Sequence, residues 1–173
     1  GVRLVGSEMC IRDRISTVSK NGIGNLAPYS YFNGLSYDPP FVMFSAGNRA
    51  DGSKKDSVLN AEETGEFVVN MSTWDTRQQM NDTSWIMEAD TDELEKTGLT
   101  AIDSISVKPK RVSESPVHFE CKYHQTVQLP GKEGFHHVVF GQVIGIHIKD
   151  EFITDDGIVD ILKMKVIARL GYN

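Results

Sequence analysis

The sequence predicts a mainly β protein in which an antiparallel sheet closes, or nearly closes, into a barrel with short helices between its strands. Short β-rich runs alternate with Gly, Asn, Asp and Pro turn signals from residue 15 onward. Two long β-branched runs, residues 117–127 and 136–148, are joined by the Gly-containing segment 129–135, which is typical of a hairpin. Only a few segments have helical character, and each is short. Such a barrel leaves rim loops where a small cofactor can bind.

The first strands follow directly from this punctuation. Residues 15–18 predict a strand, and Asn21-Gly22 predicts the turn that ends it. Residues 25–37 predict the next strand region. The Asp-Pro-Pro sequence at 38–40 then turns the chain into a third strand at residues 41–47.

The helices are expected where the β-branched bias is lost. Residues 54–64 predict a helix that ends at Gly65 as its C-cap, and residues 66–71 return to strand character. A second, polar helix is expected from Ser72 through residue 80.

The remaining segments are less regular. Residues 81–89 predict a loop, and residues 90–97 predict a third short helix stopped by Gly98. Asp155-Asp156-Gly157 predicts a turn, and residues 158–170 are expected to supply the last strand.

Composition limits the function classes. A chain of 173 residues with 39% hydrophobic and 24% charged residues fits one globular domain. A net charge of −6 argues against unaided nucleic-acid binding. The apolar runs are too short for a membrane-spanning helix. Cys10 and Cys121 are too few for a disulfide framework, so we expect a reducing, cytoplasmic compartment.

The two ends of the chain are expected to differ from its body. Residues 1–14, GVRLVGSEMCIRDR, have neither strand alternation nor a helix stripe, and GSEMCIRDR resembles translated sequencing-adapter sequence. We therefore interpret residues 1–14 as non-native; the alternative is a native disordered arm. The domain is then expected to span residues 15–173 and to be truncated at both ends.

Several chemistries are not supported by the motifs. Gly22-x-Gly24 runs into a β-like segment rather than opening a helix, so it is not a dinucleotide fingerprint. His136 and His137 are adjacent and would point to opposite faces of a strand, so they predict no metal site. No paired catalytic carboxylates and no activated nucleophile are evident, and we predict no catalytic side chain.

Polar residues cluster in two nearby segments, 25–33 and 49–57. Lys55, Asp56 and Ser57 fall where the first helix is expected to begin, and a helix start with Lys and Ser favours an anion such as a phosphate. The aromatic residues of the first segment could line a flat cofactor. The alternative is structural: Ser57 lies near an N-cap, Lys55 is solvated and the aromatics are core.

The ordered motifs resemble the flavin reductase-like, FMN-binding split-barrel family over nearly all of residues 15–170. The motifs are ISTVSKNG, NLAPYSYFN, SYDPPFVMFS, RADGSKKDS, NAEETGEFVVN, SPVHFECK and HHVVFGQVIGIHI. The resemblance implies an antiparallel split β-barrel of the FMN-binding type. It also implies a homodimer that binds FMN non-covalently between two chains, and NAD(P)H as the electron donor.

The resemblance also implies the cofactor-binding residues. They are Asn25, Ala27, Pro28, Tyr29 and Ser30 along the flavin, Ser45 near the ring or ribityl chain, and Lys55, Asp56 and Ser57 at the phosphate. Residues 81–84 and 169–171 match family segments near the cofactor or the second subunit. His147 could face the nicotinamide or be a satisfied barrel histidine; His118 and His124 are expected to be structural.

The function implied is hydride transfer from NAD(P)H to flavin, with the protein supplying position and electrostatics. Two alternatives stay open: an FMN-binding electron-relay protein without nicotinamide activity, and the reductase partner of a monooxygenase. The sequence does not distinguish NADH from NADPH, identify the final electron acceptor, or say whether FMN is a bound cofactor or a released substrate.

Overall fold

The computed structural model describes residues 9–11, 13–82, 96–132 and 134–170. Its strands are β1 (Met9–Ile11), β2 (Asp13–Val18), β3 (Gly24–Tyr29), β4 (Tyr31–Tyr37), β5 (Pro40–Gly47), β6 (Glu66–Asn70), β7 (Ala101–Ile102), β8 (Arg111–Val112), β9 (Val117–Gly131), β10 (Gly134–Ile148) and β11 (Ala168–Leu170). Its helices are α1 (Asp56–Thr64), α2 (Arg77–Asp82) and α3 (Ile161–Met164), with single 3₁₀ turns at Trp74–Thr76 and Asp150–Phe152.

The main sheet has seven strands in the order β3-β2-β6-β9-β10-β5-β4. All of its neighbouring strands are antiparallel. The two edge strands, β3 and β4, follow each other in the chain with only Ser30 between them. The sheet must therefore curl until its edges meet at Ser30, which produces the nearly closed barrel that the sequence predicts.

The barrel interior is filled by alternate residues of these strands. On β5, Val42, Phe44 and Ala46 are buried while the residues between them are not, as expected from the period of two in a strand. The Phe67 ring lies edge-on to Phe44, with ring centroids 5.4 Å apart. A Cβ atom at Gly141 would come within 2.3 Å of the Phe67 ring, so only glycine fits there.

Helix α1 packs against β2, β3, β6 and β9 and confirms the helix predicted at 54–64, beginning two residues later. Val58 and Ala61 are fully buried in the core. Gly65 ends the helix in the left-handed region with φ 75°, and its N–H donates to the Ala61 carbonyl. The predicted C-cap is therefore confirmed, because glycine adopts this conformation without steric cost.

A loop at residues 103–110 is held against the sheet by two carboxylates. Glu120 Oε1 accepts from the Ile105 amide at 2.8 Å, and Glu120 Oε2 accepts from the Ser106 amide at 2.6 Å. Glu66 Oε2 accepts from the Lys108 amide at 2.8 Å. Strands β7 and β8 flank this loop and were not predicted, because pairs of two residues carry no periodic signal.

Three local predictions are corrected by the structure. Residues 25–37 are not one strand: the chain breaks at Ser30, and its halves join opposite edges of the sheet. The hairpin is tighter than the 129–135 connection, since β9 reaches Gly131 and β10 begins at Gly134. The expected strand at 158–170 is mostly absent from the described residues; Asp160 caps α3, and only β11 is extended.

The second helix, predicted to open at Ser72-Thr73, is confirmed as a 3₁₀ turn with Thr73 as its N-cap, followed by α2. The first two residues of the predicted loop at 81–89 belong to α2, because that helix continues to Asp82. The rest of that loop and most of the third helix at 90–97 lie outside the described residues. Strand β2 begins at Asp13, two residues before the expected start, and β1 pairs with β11. Within the part of the chain that the structure describes, no helix is long and apolar enough to cross a membrane.

Candidate functional site

The two polar segments singled out in the sequence meet where β3 faces the beginning of α1. Ser57 is almost fully buried, and its hydroxyl donates to Asn25 Oδ1 at 2.8 Å. The Thr17 hydroxyl lies 3.4 Å from the same oxygen, and Asn60 Nδ2 donates to Thr17 at 3.1 Å. This polar network ties β2, β3 and α1 together, so the start of the helix has a defined position relative to the strand.

Within the described part of the chain, the backbone N–H groups at the start of α1 have no side-chain cap. Lys55 is the N-cap with extended backbone (φ −70°, ψ 152°), and among the described residues it has no side-chain cap. The first helical bonds are donated by Val58 and Leu59 to the Lys55 carbonyl. The N–H groups of Asp56 and Ser57 precede these bonds, and the helix dipole adds a partial positive charge there. A nine-residue helix with a lysine at its N-cap is therefore suited to an anion.

Lys55 extends this positive region towards β3. Its ammonium lies 5.9 Å from the centre of the Tyr29 ring. The Tyr29 ring itself is in the barrel core and packs at 4.9 Å from Phe44. The exposed lysine is thus steered over a rigid aromatic ring rather than being solvated on all sides.

Asp56, the first residue of α1, is paired with a cation. Arg49 Nη2 contacts Asp56 Oδ2 in a partly buried ion pair. Without this partner, the Asp56 carboxylate would repel an anion at the helix start. The pair leaves the backbone donors and Lys55 as the dominant positive groups.

The other predicted cofactor residues do not all share one face. Tyr29 and Ala27 belong to the core side of β3, and by strand alternation Asn25 lies on that side too, at the end nearest α1. Pro28 therefore lies on the opposite face of β3, and Ser30 is at the joint between β3 and β4.

Ser45 is on the outer face of β5, away from the core. Its cross-strand neighbours are Tyr31 on β4 and Val138 on β10, and Val138 is paired in turn with Val127 on β9. These four residues form one row across the outside of the barrel. The structure thus joins Asn25 to Ser57 directly and puts Ser45 in a different surface, next to the exposed Tyr31.

The histidines are bonded within the barrel. His147 Nε2 lies 2.7 Å from Glu120 Oε1, which fits the satisfied barrel position of the two readings open for His147. His118 Nε2 lies 2.7 Å from the Val112 carbonyl, and burial lowers the pKa of His118 to about 4. The ring of His124 lies edge-on to Phe41 at 5.2 Å.

Sequence reasoning missed the contact between His137 on β10 and Asn48, the residue just before the 49–57 segment. His137 Nε2 lies 2.7 Å from Asn48 Oδ1. Asn48 directly follows β5 and precedes the polar run, a position that marks it for attention; nothing in the sequence marked His137 as its partner. Of the other family-matched stretches, residues 83–84 and 171 lie outside the described residues.

The class of fold is a nearly closed antiparallel barrel whose first helix begins, without a side-chain cap from the described residues, beside its first strands. The sequence profile of the flavin reductase-like domain matches residues 14–159, so the chain belongs to that family. Membership indicates flavin binding and oxidoreductase chemistry.

Individual relatives agree with this assignment. An uncharacterised protein of Aquifex aeolicus is 39% identical over 157 residues, which cover 91% of this chain and 78% of that protein. The crystal structure of nitrilotriacetate monooxygenase component B from Bacillus cereus is 32% identical, with a TM-score of 0.89 over 98% of this chain and 85% of that one. A flavin reductase with a split-barrel domain from Shewanella frigidimarina shares the fold at 23% identity, with a TM-score of 0.82 over 95% of this chain and 79% of that one.

Proposed function

We propose that this protein is an FMN-binding flavin reductase that transfers a hydride from NAD(P)H to flavin. The observation that carries the proposal is the start of α1, where uncapped N–H groups and Lys55 form an anion site bonded through Ser57 to Asn25 of β3. A flavin mononucleotide has one phosphate and one planar ring, so it fits a phosphate grip beside an aromatic-lined barrel rim.

The residues of this chain bind and orient. Lys55 and the N–H groups of Asp56 and Ser57 hold the phosphate, and Arg49 cancels the charge of Asp56. Asn25, Ala27, Pro28, Tyr29 and Ser30 line the cofactor through their backbone or side chains, with Ser45 contributed from the outer face. When bound, FMN would supply the ring that accepts the hydride, leaving NAD(P)⁺. The protein needs no acid or base for that step, because it lowers the barrier by position and electrostatics.

A homodimer would bring the two separated surfaces together. Ser45 lies in a row with Tyr31 and Val127, and Leu129 shares that face through its pairing with His136. Tyr31, Val127 and Leu129 are exposed hydrophobic residues. An apolar outer face of this kind favours burial against a second chain. Sedimentation of the FMN-loaded protein is expected to show a dimer, and a monomer would overturn this part of the proposal.

The hydride step is tested by mixing FMN-loaded protein anaerobically with NADH and, separately, with NADPH. The oxidised flavin band at about 450 nm is expected to bleach with one of them. If neither nicotinamide bleaches the bound flavin while dithionite does, the protein is an electron-relay protein instead. The similarity to a monooxygenase component B favours one further role, as the reductase partner of a monooxygenase. Release of reduced flavin to the solution after bleaching would support that role.

The phosphate grip is tested with Lys55→Ala. Loss of one charge-assisted contact should weaken FMN binding by about 1.5 to 3 kcal/mol, roughly 10- to 150-fold. Lys20→Ala is the matched control, because Lys20 is an exposed lysine paired with Glu63 at 3.5 Å. An unchanged FMN dissociation constant in Lys55→Ala would remove the lysine from the site.

A further inference from the structure

The turn before α1 is joined to β10 by Asn48, the residue that precedes the turn. The Asn48 amide donates to the Phe135 carbonyl at 3.2 Å, and Asn48 Nδ2 donates to the Gly52 carbonyl at 2.8 Å. Gly52 has φ +83°, and its N–H donates back to the Arg49 carbonyl at 2.9 Å. Asn48 therefore spans the turn formed by residues 49–53 and holds it closed.

His137 orients the Asn48 side chain. Because Asn48 Nδ2 is used as a donor to Gly52, Asn48 Oδ1 must face His137, so His137 Nε2 carries the proton and donates at 2.7 Å. His137 is 2% exposed, and among the described residues its Nδ1 has no hydrogen-bond partner. Burial lowers the pKa of His137; Lys54 and His136 lower it further, and Glu62 opposes them. The neutral imidazole with a proton on Nε2 is the form that this site holds.

The closed turn leads straight to the anion site. Arg49, its first residue, contacts Asp56 at the start of α1. Lys54, just after the turn, pairs with Glu62 on the same helix at 2.7 Å. The Arg49 contact depends directly on where the turn is held, and the Lys54 contact depends on it through the chain, because Lys54 follows the turn immediately. A shift of the turn would uncover the Asp56 carboxylate next to the helix N–H groups.

We propose that His137, acting through Asn48, is a positioning residue that holds the 49–53 turn so that Arg49 neutralises Asp56 and the helix start binds the flavin phosphate. The inference rests on the proposed function, since it concerns the same phosphate site. In this role His137 contributes to the affinity for the flavin phosphate, and binding of the isoalloxazine ring does not depend on His137. His137 has no contact with the substrate in this role.

The test compares FMN with riboflavin, which has the same ring and no phosphate. His137→Gln keeps an amide N–H at the place of imidazole Nε2, whereas the side chain of His137→Asn is too short to reach Asn48. In His137→Asn, which loses the hydrogen bond to Asn48, the preference for FMN over riboflavin should fall about three- to tenfold. Asn48→Ala also loses the bond to the Gly52 carbonyl and should lower the preference at least as much. His137→Gln should keep the preference of the unmodified protein. Binding of both ligands is measured by fluorescence titration, with thermal unfolding as the check on folding.

The outcomes separate this inference from the proposed function. If the unmodified protein does not prefer FMN to riboflavin, or Lys55→Ala does not reduce that preference, the phosphate site itself is wrong. If Lys55→Ala reduces the preference but His137→Asn and Asn48→Ala do not, the site stands and the role of His137 is overturned. Equal weakening of both ligands in these two variants would mean that His137 is merely structural. Asn48→Ala decides the matter if His137→Asn does not fold, because Asn48 is only half-buried and lies outside the strands.

Discussion

Among the described residues, the most deeply buried carboxylates and guanidinium of the main sheet lie at two places, Glu120 in β9 and Asp13 and Arg14 in β2. Glu120 is 0% exposed, and its two oxygens accept from two backbone amides and from His147. Asp13 and Arg14 are 2% and 0% exposed, yet among the described residues Asp13 Oδ1 and Arg14 Nε and Nη1 have no hydrogen-bond partner. Arg14 Nη2 donates to the Thr76 hydroxyl at 3.3 Å, and the Ser72 amide donates to Asp13. Similar burial thus accompanies full hydrogen bonding at Glu120 and partial hydrogen bonding at Asp13 and Arg14.

The difference teaches which polar residues suit their positions. A buried charge is tolerated when hydrogen bonds replace its lost water, and it is costly otherwise. Strand β2 forms all the same, because its ladder is made by backbone groups that every residue carries. Asp13 and Arg14 thus occupy a well-paired strand while part of each side chain has no hydrogen bond to the described residues.

The two places also respond oppositely to pH. Burial alone would raise the pKa of Glu120, but the amides of Ile105 and Ser106 and the His147 ring hold it below its usual value. Its contribution to stability is therefore present at neutral pH and is lost on acidification. Burial raises the pKa of Asp13 from 3.8 to about 7, since the Ser72 amide and Arg14 only partly offset the loss of water.

The largest loss of stability is expected at Glu120, whose two carboxylate oxygens are both hydrogen-bonded. Glu120→Ala should lower the free energy of unfolding by about 3 to 5 kcal/mol, because the Ile105 and Ser106 amides and the His147 ring lose the charged acceptor that they share. Chemical denaturation measures this. Glu114→Ala is the matched control: Glu114 also accepts from a backbone amide, that of Thr100, but at the surface. A loss at Glu120 no larger than that at Glu114 would contradict the comparison.

The next prediction concerns how the free energy of unfolding changes with pH because of Asp13. Because its folded pKa is raised, the stability associated with protonated Asp13 is complete below pH 3.8 and is lost as the pH rises through about 7. Each pH unit between these values should cost about 1.4 kcal/mol. Asp13→Asn should flatten this decline in denaturation curves recorded between these limits. A decline of the same slope in Asp13→Asn would show that another group is responsible.

Replacing Asp13 and Arg14, whose hydrogen bonding to the described residues is incomplete, by apolar residues should stabilise the fold. The double variant Asp13→Val, Arg14→Leu is expected to raise the free energy of unfolding by about 1 to 4 kcal/mol, as when apolar residues replace a poorly bonded buried pair. The single variants are the controls, since each leaves one charge without its neighbour. A less stable double variant would mean that Asp13 and Arg14 stabilise the fold despite their atoms that have no hydrogen bond in the described part of the chain.

The smallest effect is expected at Glu66, which is bonded but less deeply buried. Glu66→Gln keeps an oxygen for the Lys108 amide and loses the ion pair with Lys122. The free energy of unfolding should fall by about 0.5 to 1.5 kcal/mol. A loss as large as that of Glu120→Ala would show that the stability contributed by these carboxylates does not depend on how deeply they are buried.

Much of the fold could be read from local patterns. The β-rich runs and turn residues placed β2, β5, β6, β9 and β10, and the loss of β-branched residues followed by Gly65 placed α1. The break at Ser30 could not be read, because residues on both sides have the same strand character. It is decided by which edge of the sheet each half can pair with.

The candidate site divides in the same way. The sequence by itself marked the barrel class, the helix start at Lys55 to Ser57 and the polar Asn25, since strand period, helix capping and charge are local properties. Only the tertiary structure joined Ser57 to Asn25, separated Ser45 onto the outer face and brought His137 to Asn48, 89 residues apart. Contacts between distant residues depend on the register and closure of the whole sheet, and no short stretch of sequence carries that information.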